Sequence, residues 1–416
     1  MNFDIRDFGA VNDGTTLCTD AIQKAIDACS ESGGGSVTVT DGTYLTAFIR
    51  LKNGVELHIE SGATLKASTE GSLYPEFESD YWNTEFAPRH STKCLIYAEN
   101  CRNIAITGRG TVDCQGRYAV CPEDSDSGIH NGMWHNKRCV YDLPARMIFL
   151  IGCKDVLIEG IRVFEPCSGW TYLICDCDRV NMRGLTIDTF IDNPNCDGIH
   201  INCSRDVHIS DCTLLTGDDA IAIRSYTPIL KERRPCERVT VTNCTLISGT
   251  SCVQVGWLGD YIMRDCVFSN CTFGGTNGGV HICFPAGTPP GEKSKHTDEG
   301  DSRSLVERIS FDNIIITDCH FEPIAITVRE NTPIEAIRDI SFSNIRSVSG
   351  YMPALRGNGD TLLENITFSN CIFRKGEAES PKPMKSSNYR VAPSDNSPIF
   401  EKVKNLVLDN TVFIIE

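Results

Sequence analysis

The sequence predicts an all-β protein, a single-stranded parallel β-helix in which short strands wind into a solenoid. The first observation is a repeated unit of a polar turn residue, alternating apolar residues and then Gly, Asn or Asp. The second is the interval between units, roughly 24 to 32 residues, with no helical pattern filling it. The unit recurs as Asn103–Gly108, Asp155–Gly160, Arg179–Gly184, Asp206–Asp211, Arg238–Asn243, Arg308–Asn313, Asp339–Asn344, Asn365–Asn370 and Asn405–Asn410.

The N-terminal segment, about residues 1–35, is predicted to cap this solenoid. Asp20 with Gln23 three residues later is a helix N-terminal signal, an apolar face follows, and Gly33–Gly35 ends the helix. The open end of a solenoid exposes an apolar interior that has to be covered. We therefore expect this helix to lie across the first coil.

Four irregular segments interrupt the repeats of what is predicted to be one domain, residues 1–416. These inserts lie at about 66–92, 115–145, 284–304 and 374–399. The first two carry Tyr74, Trp82 and Trp134, and the faces of sugars stack on aromatic rings. We therefore expect the first two inserts to form walls of a sugar-binding cleft.

The charge of the chain argues against two classes of partner. A formal net charge of −16 disfavours nucleic acid and anionic membrane surfaces. The sequence contains no apolar run of about 18 residues, the length that a membrane span needs. The first residues, Met1–Gly9, lack a basic start and an apolar stretch, so we expect no export signal and a cytoplasmic location.

The 22 cysteines are predicted to be reduced thiols. Several occupy the same slot of the repeat: Cys212, Cys244, Cys271, Cys319 and Cys371. This regularity predicts buried thiols that act as small apolar groups in equivalent coils. Cysteine pairs at metal-ligand spacing do not recur in the sequence, so no metal centre is expected.

Two acidic turns carry the candidate catalytic residues. Asp197 comes just before the strand Ile199–Ile201, and Asp218 and Asp219 come just before Ile221–Arg224. The 22 residues between Asp197 and Asp219 are about one coil, which places the three acids side by side. Crowded carboxylates repel one another, so a purely structural role is hard to justify. Adjacent carboxylates with pKa values pushed apart are what glycosidic bond hydrolysis requires.

Aligning the inward-facing apolar pairs of five strands predicts what flanks these acids. The pairs are Ile199/Ile201, Ile221/Ile223, Val253/Val255, Val280/Ile282 and Ile324/Ile326. Two residues before each pair lie Asp197, Asp219, Ser251, Gly278 and Glu322, and the outward residues within the pairs are His200, Ala222, Gln254, His281 and Ala325. His200 and His281 would bind substrate hydroxyls or tune a carboxylate. Glu322 is an extra acid or a turn residue, and Arg224 binds substrate or forms an ion pair with an acid.

These motifs resemble glycoside hydrolase family 28, the polygalacturonase family of right-handed parallel β-helices. The opening segment Phe8–Ile26 is similar to the family's entry segment, and Ser168–Thr171 is similar to its tryptophan turn. Asn195-Cys196-Asp197 resembles its Asn-Thr-Asp motif, and Gly217–Arg224 resembles its Asp-Asp motif. The two acidic motifs together are specific to the family, whereas other pectin-degrading β-helices share the entry segment.

The resemblance implies a role for each acid. Asp218 is then the general acid, and Asp197 and Asp219 position and activate the attacking water, which inverts the anomeric carbon. Asn195 would help to hold the site in place. The resemblance implies no cofactor and no metal ion.

Two family motifs are replaced in this chain. The Gly-His-Gly motif aligns with Thr250-Ser251-Cys252, so Ser251 stands where the family has histidine. The Arg-Ile-Lys motif aligns with His281-Ile282-Cys283, which removes both cations that grip a uronate carboxylate. We therefore expect a sugar next to the cut that is neutral or carries its charge elsewhere, and not an ordinary polygalacturonase.

The leading hypothesis is an exo-acting hydrolase of small oligosaccharides, in which inserts close one end of the cleft. Its candidate substrate-binding residues are Asn195, His200, Arg224, Ser251, Gln254, His281 and Glu322. A transglycosylase, an epimerase or a lyase on the same scaffold is the first alternative, and a lyase would commonly need calcium. A non-catalytic carbohydrate-binding solenoid is the second. The sequence leaves the oligomeric state open.

Overall fold

The computed structural model describes residues 1–122, 137–139, 142–166, 169–287, 303–359, 361–380 and 397–415. Within these residues, strands of successive coils pair in parallel and form one sheet of 23 strands and one of 11. A small antiparallel pair, Val120–Pro122 with Lys137–Cys139, lies apart from both sheets. The predicted parallel β-helix is therefore confirmed.

The 11-stranded sheet carries the candidate site and is called the site sheet below. Its strands are Ile49–Arg50, Cys94–Glu99, Arg146–Ile151, Trp170–Cys175, Ile199–Asn202, Ile221–Arg224, Ser251–Val255, Gly278–Phe284, Ile324–Val328, Ala354–Arg356 and Ile399–Glu401.

The 23-stranded sheet supplies the remaining walls of the coils. Its strands are Asn2–Asp4, Asp13–Leu17, Gly35–Val39, Gly42–Thr46, Val55–Ile59, Ala63–Ala67, Arg102–Gly108, Thr111–Asp113, Lys154–Glu159, Arg162–Phe164, Asp178–Arg183, Thr186–Asp188, Arg205–Ser210, Thr213–Thr216, Cys236–Thr242, Thr245–Ser248, Ile262–Gly274, Ser304–Cys319, Ile334–Ser349, Leu363–Ser369, Ile372–Lys375, Val403–Asp409 and Val412–Ile414. Short 3₁₀ helices lie at Ile5–Phe8, Gly71–Leu73, Thr84–Phe86, Pro88–His90, Gly116–Tyr118 and Thr227–Ile229.

The interior is built of ladders of like residues. Phe268, Phe311, Phe342 and Phe368 stack with ring centroids 4.8, 5.1 and 4.9 Å apart, and all four rings are buried. The cysteines of the repeated slot are buried thiols, as predicted. Parallel pairing in register places equivalent residues of successive coils directly above one another, so each inward column becomes a continuous apolar stack.

The Asn and Asp residues that end each repeated unit have a backbone reason. Asn270 and Asn313 adopt φ values of 56° and 51°, in the left-handed region where Asn costs less than most residues. The side-chain amide of Asn313 also donates to Oδ1 of Asn270 at 2.8 Å. The bend within these two strands is therefore repeated with the same residue type in successive coils.

The N-terminal helix spans Thr19–Glu31 and packs its buried face on the first coils. That face consists of Ala21, Ile22, Ala25, Ile26 and Cys29. The predicted capping helix is confirmed, but the prediction that Asp20 caps it is wrong. The helix already begins at Thr19, whose hydroxyl accepts from the backbone N–H of Ala47 at 2.8 Å, so Asp20 falls inside the first turn.

The insert at 66–92 is described, and it corrects one expectation. Tyr74 and Trp82 do not stand at an open wall, because both side chains are buried. The indole Nε1 of Trp82 donates to the hydroxyl of Tyr97 at 3.0 Å, on the outer face of the site sheet. Trp82 therefore belongs to a second small core over the sheet, whereas Tyr74 joins the main core.

The other three inserts are described only in part. Residues 123–136, 140–141, 288–302 and 381–396 lie outside the described residues, and Trp134 and Ser168 are also outside them. The division of the chain into one domain with these inserts stays a prediction. Among the described residues, the structure contains no helix with the length and hydropathy of a membrane span.

The phenylalanine stack predicts a stability effect. Phe311→Ala should lower the free energy of unfolding by about 3–5 kcal/mol, because it leaves a cavity between two stacked rings. Ile315→Ala on the same strand should change it by less than about 1 kcal/mol, because Ile315 is 48% exposed. Urea unfolding followed by tryptophan fluorescence measures both. Equal losses would contradict the stack as a core element.

Candidate active site

The register predicted from the inward pairs is the one that the site sheet adopts. Ile199, Ile221, Val253, Val280 and Ile324 are partners in successive parallel pairings. The outward residues His200, Ala222, Gln254, His281 and Ala325 form the neighbouring column. The strand starts of successive coils are therefore brought together at one edge of the site sheet.

The three candidate acids meet at this edge. One carboxylate oxygen from each of Asp197, Asp218 and Asp219 lies within 4.8 Å of the other two. Asp197 is buried, whereas Asp218 and Asp219 are partly exposed to solvent. The structure thus places these three residues as the repeat spacing predicts.

The backbone of the acidic turn is held by two hydroxyl groups, one from the same coil and one from the next. The carbonyl of Asp218 accepts from Thr216 Oγ1 at 2.6 Å and from Ser248 Oγ at 2.8 Å. Gly217 allows the preceding coil to approach, since a Cβ there would lie 2.2 Å from the carbonyl oxygen of Asn193. The turn that presents the two acids is therefore fixed on both sides.

Two further hydroxyls contact the acid side chains directly. Thr250 Oγ1 lies 2.8 Å from Oδ1 of Asp218 and 2.8 Å from Oδ1 of Asp219. Ser251 donates its hydroxyl to Oδ1 of Asp219, and the backbone N–H of Asp219 donates to Oδ1 of Asp218 at 3.0 Å. Sequence reasoning selected Ser251 but missed Thr250. The alignment of both residues with Gly-His-Gly was the available signal.

The surroundings of Asp218 give its carboxyl group a raised pKa. Burial, followed by the negative charges of Asp197 and Asp219, raises the pKa of Asp218 well above its usual range. The hydrogen bonds from Thr250 and from the backbone of Asp219 oppose this shift. Asp218 therefore retains its proton at a pH at which an ordinary aspartate is ionised.

His200 forms a hydrogen bond with Asp197. Its Nε2 lies 2.7 Å from Oδ2 of Asp197, and its ring stacks on Trp170 with centroids 3.9 Å apart. Burial lowers the pKa of His200 to about 3, so the imidazole is neutral at ordinary pH and Nε2–H is the donor. Trp170 belongs to the tryptophan turn and supports His200, a contact that the sequence did not reveal.

Arg224 forms an ion pair away from the acids. Its Nε lies 2.7 Å from Oδ2 of Asp260, a fully buried residue that sequence reasoning missed. Burial raises the pKa of Asp260 to about 6, and the guanidinium of Arg224 opposes the shift. Of the two roles left open for Arg224, this geometry favours the ion pair.

The remaining candidate residues lie on or beside the site sheet, and each has different contacts. Gln254 Nε2 donates to the carbonyl of Gly256 at 2.7 Å, so its amide is used in the fold. The ring of His281 leans over Gly278, where a Cβ would lie 2.1 Å from Nε2. Glu322 is buried beside the next strand. Asn195 turns the chain into Asp197 with a φ of 51°.

Residues 29–388 match the model of glycosyl hydrolases family 28, which is most of the chain. The chain belongs to glycosyl hydrolases family 28. It is therefore a glycoside hydrolase.

The proteins similar to this chain include several named polygalacturonases. A probable polygalacturonase from Vitis vinifera is 29% identical over 225 residues, which cover 53% of this chain but only 43% of that protein. An exopolygalacturonase from Platanus acerifolia is 24% identical over 356 residues, 83% of this chain and 82% of that one. The structure of an exopolygalacturonase from Thermotoga maritima matches with a TM-score of 0.74 at 19% identity, covering 100% of this chain and 92% of that one. At that identity it shows the shared fold.

The sequence predicts two replaced family motifs, and the structure shows what their residues contact. Ser251, at the predicted histidine position, donates to Asp219. In the predicted Arg-Ile-Lys segment, His281 is buried against Gly278 and Cys283 is partly exposed. The three acids are contacted by the hydroxyls of Thr250 and Ser251 and by the neutral imidazole of His200.

The raised pKa of Asp218 predicts a pH-dependent stability change. The folded state binds this proton more tightly than the unfolded state, so stability falls as the pH rises from about 4 through the folded pKa. Asp218→Asn removes the loss and should raise Tm at pH 7 by roughly 1–3 °C, with no gain near pH 3. Calorimetry across this pH range measures it, with Asp211→Asn, an exposed turn residue, as the control. A gain of equal size at every pH would contradict the assignment.

Proposed function

We propose that this family 28 enzyme is an exo-acting, inverting hydrolase of short oligosaccharides. Asp218 is its general acid, and Asp197 and Asp219 hold and activate the attacking water. The observation that carries the proposal is the meeting of three carboxylates within 4.8 Å, one of which has a raised pKa. No cofactor is needed for this chemistry, because a proton donor and an activated water suffice.

Asp218 suits the role of acid for two reasons. Its raised pKa keeps the proton available at a pH where its neighbours can be ionised. Its partial exposure leaves the carboxyl accessible to a glycosidic oxygen. Oδ1 is occupied by the backbone N–H of Asp219 and by Thr250, so Oδ2 is the oxygen that would carry the proton.

Asp197 and Asp219 suit the role of water binders. A water that donates two hydrogen bonds of about 2.8 Å at a tetrahedral angle bridges oxygens about 4.6 Å apart. The 4.8 Å limit on the three acids allows such a water. Inverting enzymes that use two carboxyl groups usually hold them about 6.5–9.5 Å apart, so the spacing alone does not favour inversion. The proposal rests instead on one water shared by two acids and on the family resemblance.

The closed side of the sheet supports exo action. Tyr97, Phe149 and Leu173, the outward residues of the coils before His200, are buried under the insert at 66–92. Asn83 of that insert donates to the carbonyls of Pro228 and Leu230 at 2.9 and 3.1 Å. The insert thereby joins the segment that follows the acid-bearing coil. A glycan chain would then extend from the acids in one direction.

The substrate is proposed to be a short oligosaccharide in which the sugar next to the cleaved bond is not held by cationic side chains. The similarity to exopolygalacturonases supports a pectin-derived chain. The residues at the family's two cation positions are His281 and Cys283, and Arg224 is engaged by Asp260. These features support a sugar that is neutral, or whose carboxylate lies elsewhere, next to the bond that is broken. The cytoplasmic location remains a prediction.

Replacing the proposed acid tests the core of this proposal. Asp218→Asn should lower kcat/KM by about 10²–10⁴-fold, because proton donation to the leaving oxygen is lost. Asp211→Asn should stay within about twofold of the wild-type value, since Asp211 is an exposed turn residue. Sugar release from defined neutral and acidic oligosaccharides measures the rates. Undiminished turnover by the Asp218 variant would remove the proposed acid.

The products test the mechanism and the mode of attack. Proton NMR of fresh product should show the inverted anomer, and a hexasaccharide should release product of one size from the first turnovers. A retained anomer would contradict the shared water, and mixed early products would contradict exo action. An unsaturated product absorbing in the ultraviolet, or activity lost with chelator, would favour a lyase. Binding without turnover would favour a carbohydrate-binding solenoid.

A further inference from the structure

Thr250 has an unusual position between two ionisable groups. Its single hydroxyl oxygen lies 2.8 Å from Oδ1 of Asp218 and 2.8 Å from Oδ1 of Asp219. A hydroxyl carries one proton and can donate to one acceptor at a time. The side chain therefore contacts both carboxylates but can stabilise the negative charge of one of them at any moment.

Two further donors contact these oxygens, and each serves one acid. The backbone N–H of Asp219 donates to Asp218, and Ser251 donates to Asp219. A backbone N–H cannot turn away from its acceptor, whereas the Thr250 hydroxyl can rotate between two acceptors at equal distance. Thr250 is therefore a donor that the two acids share.

Several other titratable groups surround the pair. Asp197 lies on the preceding coil with the neutral His200, and Arg224 is paired with Asp260. Cys252 is buried, and the charge of Asp219 contributes to the rise of its pKa. His281 and Glu322 follow in later coils. Asp197 adds a negative charge that opposes ionisation of Asp218. This surrounding charge shifts the titration of the pair as a whole. The hydrogen-bond donor that the two acids share is the hydroxyl of Thr250.

We propose that Thr250 is a positioning residue that donates a hydrogen bond from its hydroxyl to whichever of Asp218 and Asp219 is ionised, and so favours the state in which the pair carries one charge. Before the cut, Asp219 is ionised and receives this hydrogen bond. After the cut, Asp218 has given its proton to the leaving oxygen, and Asp219 has taken a proton from water. The hydroxyl then rotates to Asp218. The O–H bond of Thr250 never breaks, so protons balance.

The catalytic use of this switch rests on the roles proposed above for Asp218 and Asp219, whereas the coupling of their pKa values does not. The family's Gly-His-Gly motif, as aligned with residues 250–252, supplies no hydroxyl at either of its first two positions. The Thr-Ser pair of this chain supplies two. The shared donor is therefore a property of this sequence.

The pH profile tests the proposal against a merely structural role. The hydroxyl stabilises the singly charged pair, so Thr250→Val should raise the lower macroscopic pKa of the pair by about 1 pH unit. The acid limb of the kcat/KM profile should move up by that amount. The basic limb should not rise. The Thr250 hydroxyl donates one hydrogen bond to the doubly charged pair, as it does to the singly charged pair, so its removal destabilises both states equally. Thr250→Ser should restore the wild-type limbs.

Two outcomes of this profile would overturn the proposal. A uniform loss of rate with both limbs unmoved would indicate a structural role. A rise of the basic limb would indicate a hydroxyl that serves Asp218 alone. If Thr250→Val does not fold, Thr250→Ala removes the same hydroxyl and takes its place.

A second measurement needs no catalysis. Carbon-13 NMR of protein labelled at the Asp carboxyl carbons reports the pKa of Asp218, whose signal is identified by its loss in Asp218→Asn. Thr250→Val should leave that pKa unchanged while Asp219 is present. In an Asp219→Asn background, it should raise that pKa by about 1 unit, because the hydroxyl then serves Asp218 alone. An equal rise in both backgrounds would overturn the switch, whatever the activity of the enzyme.

Discussion

Parallel pairing in register is the constraint on which the rest of the molecule depends. Each strand of the site sheet lies directly beside its equivalent in the coils before and after it. Residues a full coil apart in sequence thereby become neighbours in space. The same rule that stacks Phe268 on Phe311 in the interior sets Asp197 beside the Asp218–Asp219 turn at the sheet edge. Core and site thus share one geometric origin.

This constraint also creates an electrostatic cost at the site. Three carboxylates within 4.8 Å repel one another when ionised. Donors surround these acids: His200 of the same coil contacts Asp197, and from the next coil Ser251 contacts Asp219 and Thr250 lies between Asp218 and Asp219. Burial of Asp218 turns the remaining repulsion into retention of a proton. The same repulsion that costs stability at this edge therefore keeps Asp218 protonated beside two other carboxylates.

The sequence predicted those features that depend on repetition. Period-2 alternation in Ile199–Ile201 and Ile221–Ile223 determines which side chains face inward, and a slip of one residue would have exposed the apolar set. The register of the site sheet and the meeting of the three acids could therefore be predicted before any coordinates. The helix could be predicted as well, although its first residue could not.

Features that depend on side-chain direction or on irregular segments could not be predicted. The Arg224–Asp260 ion pair joins a strand to a turn 36 residues later, with no periodic signal. The stacking of Trp170 on His200 depends on where the first side chain of a strand points. Trp82 looked like a cleft aromatic because it lies in an insert, but the apolar outer face formed by Tyr97 and Phe149 needed a cover. The aromatic side chain of an insert that lies over apolar strands is therefore used for packing against them.

That cover bears on specificity as well as on stability. In the coils before His200, the outward residues are large and apolar, and the insert buries them. In the coils after it, the outward column continues as Ala222, Gln254, His281 and Ala325, all of which are buried. Gln254 is engaged by the backbone of Gly256. The flat part of the sheet therefore offers few polar groups of its own beyond the acids. A substrate that extends over these coils would be recognised mainly by the turns at the strand starts, where Asn195, Thr250 and Glu322 lie.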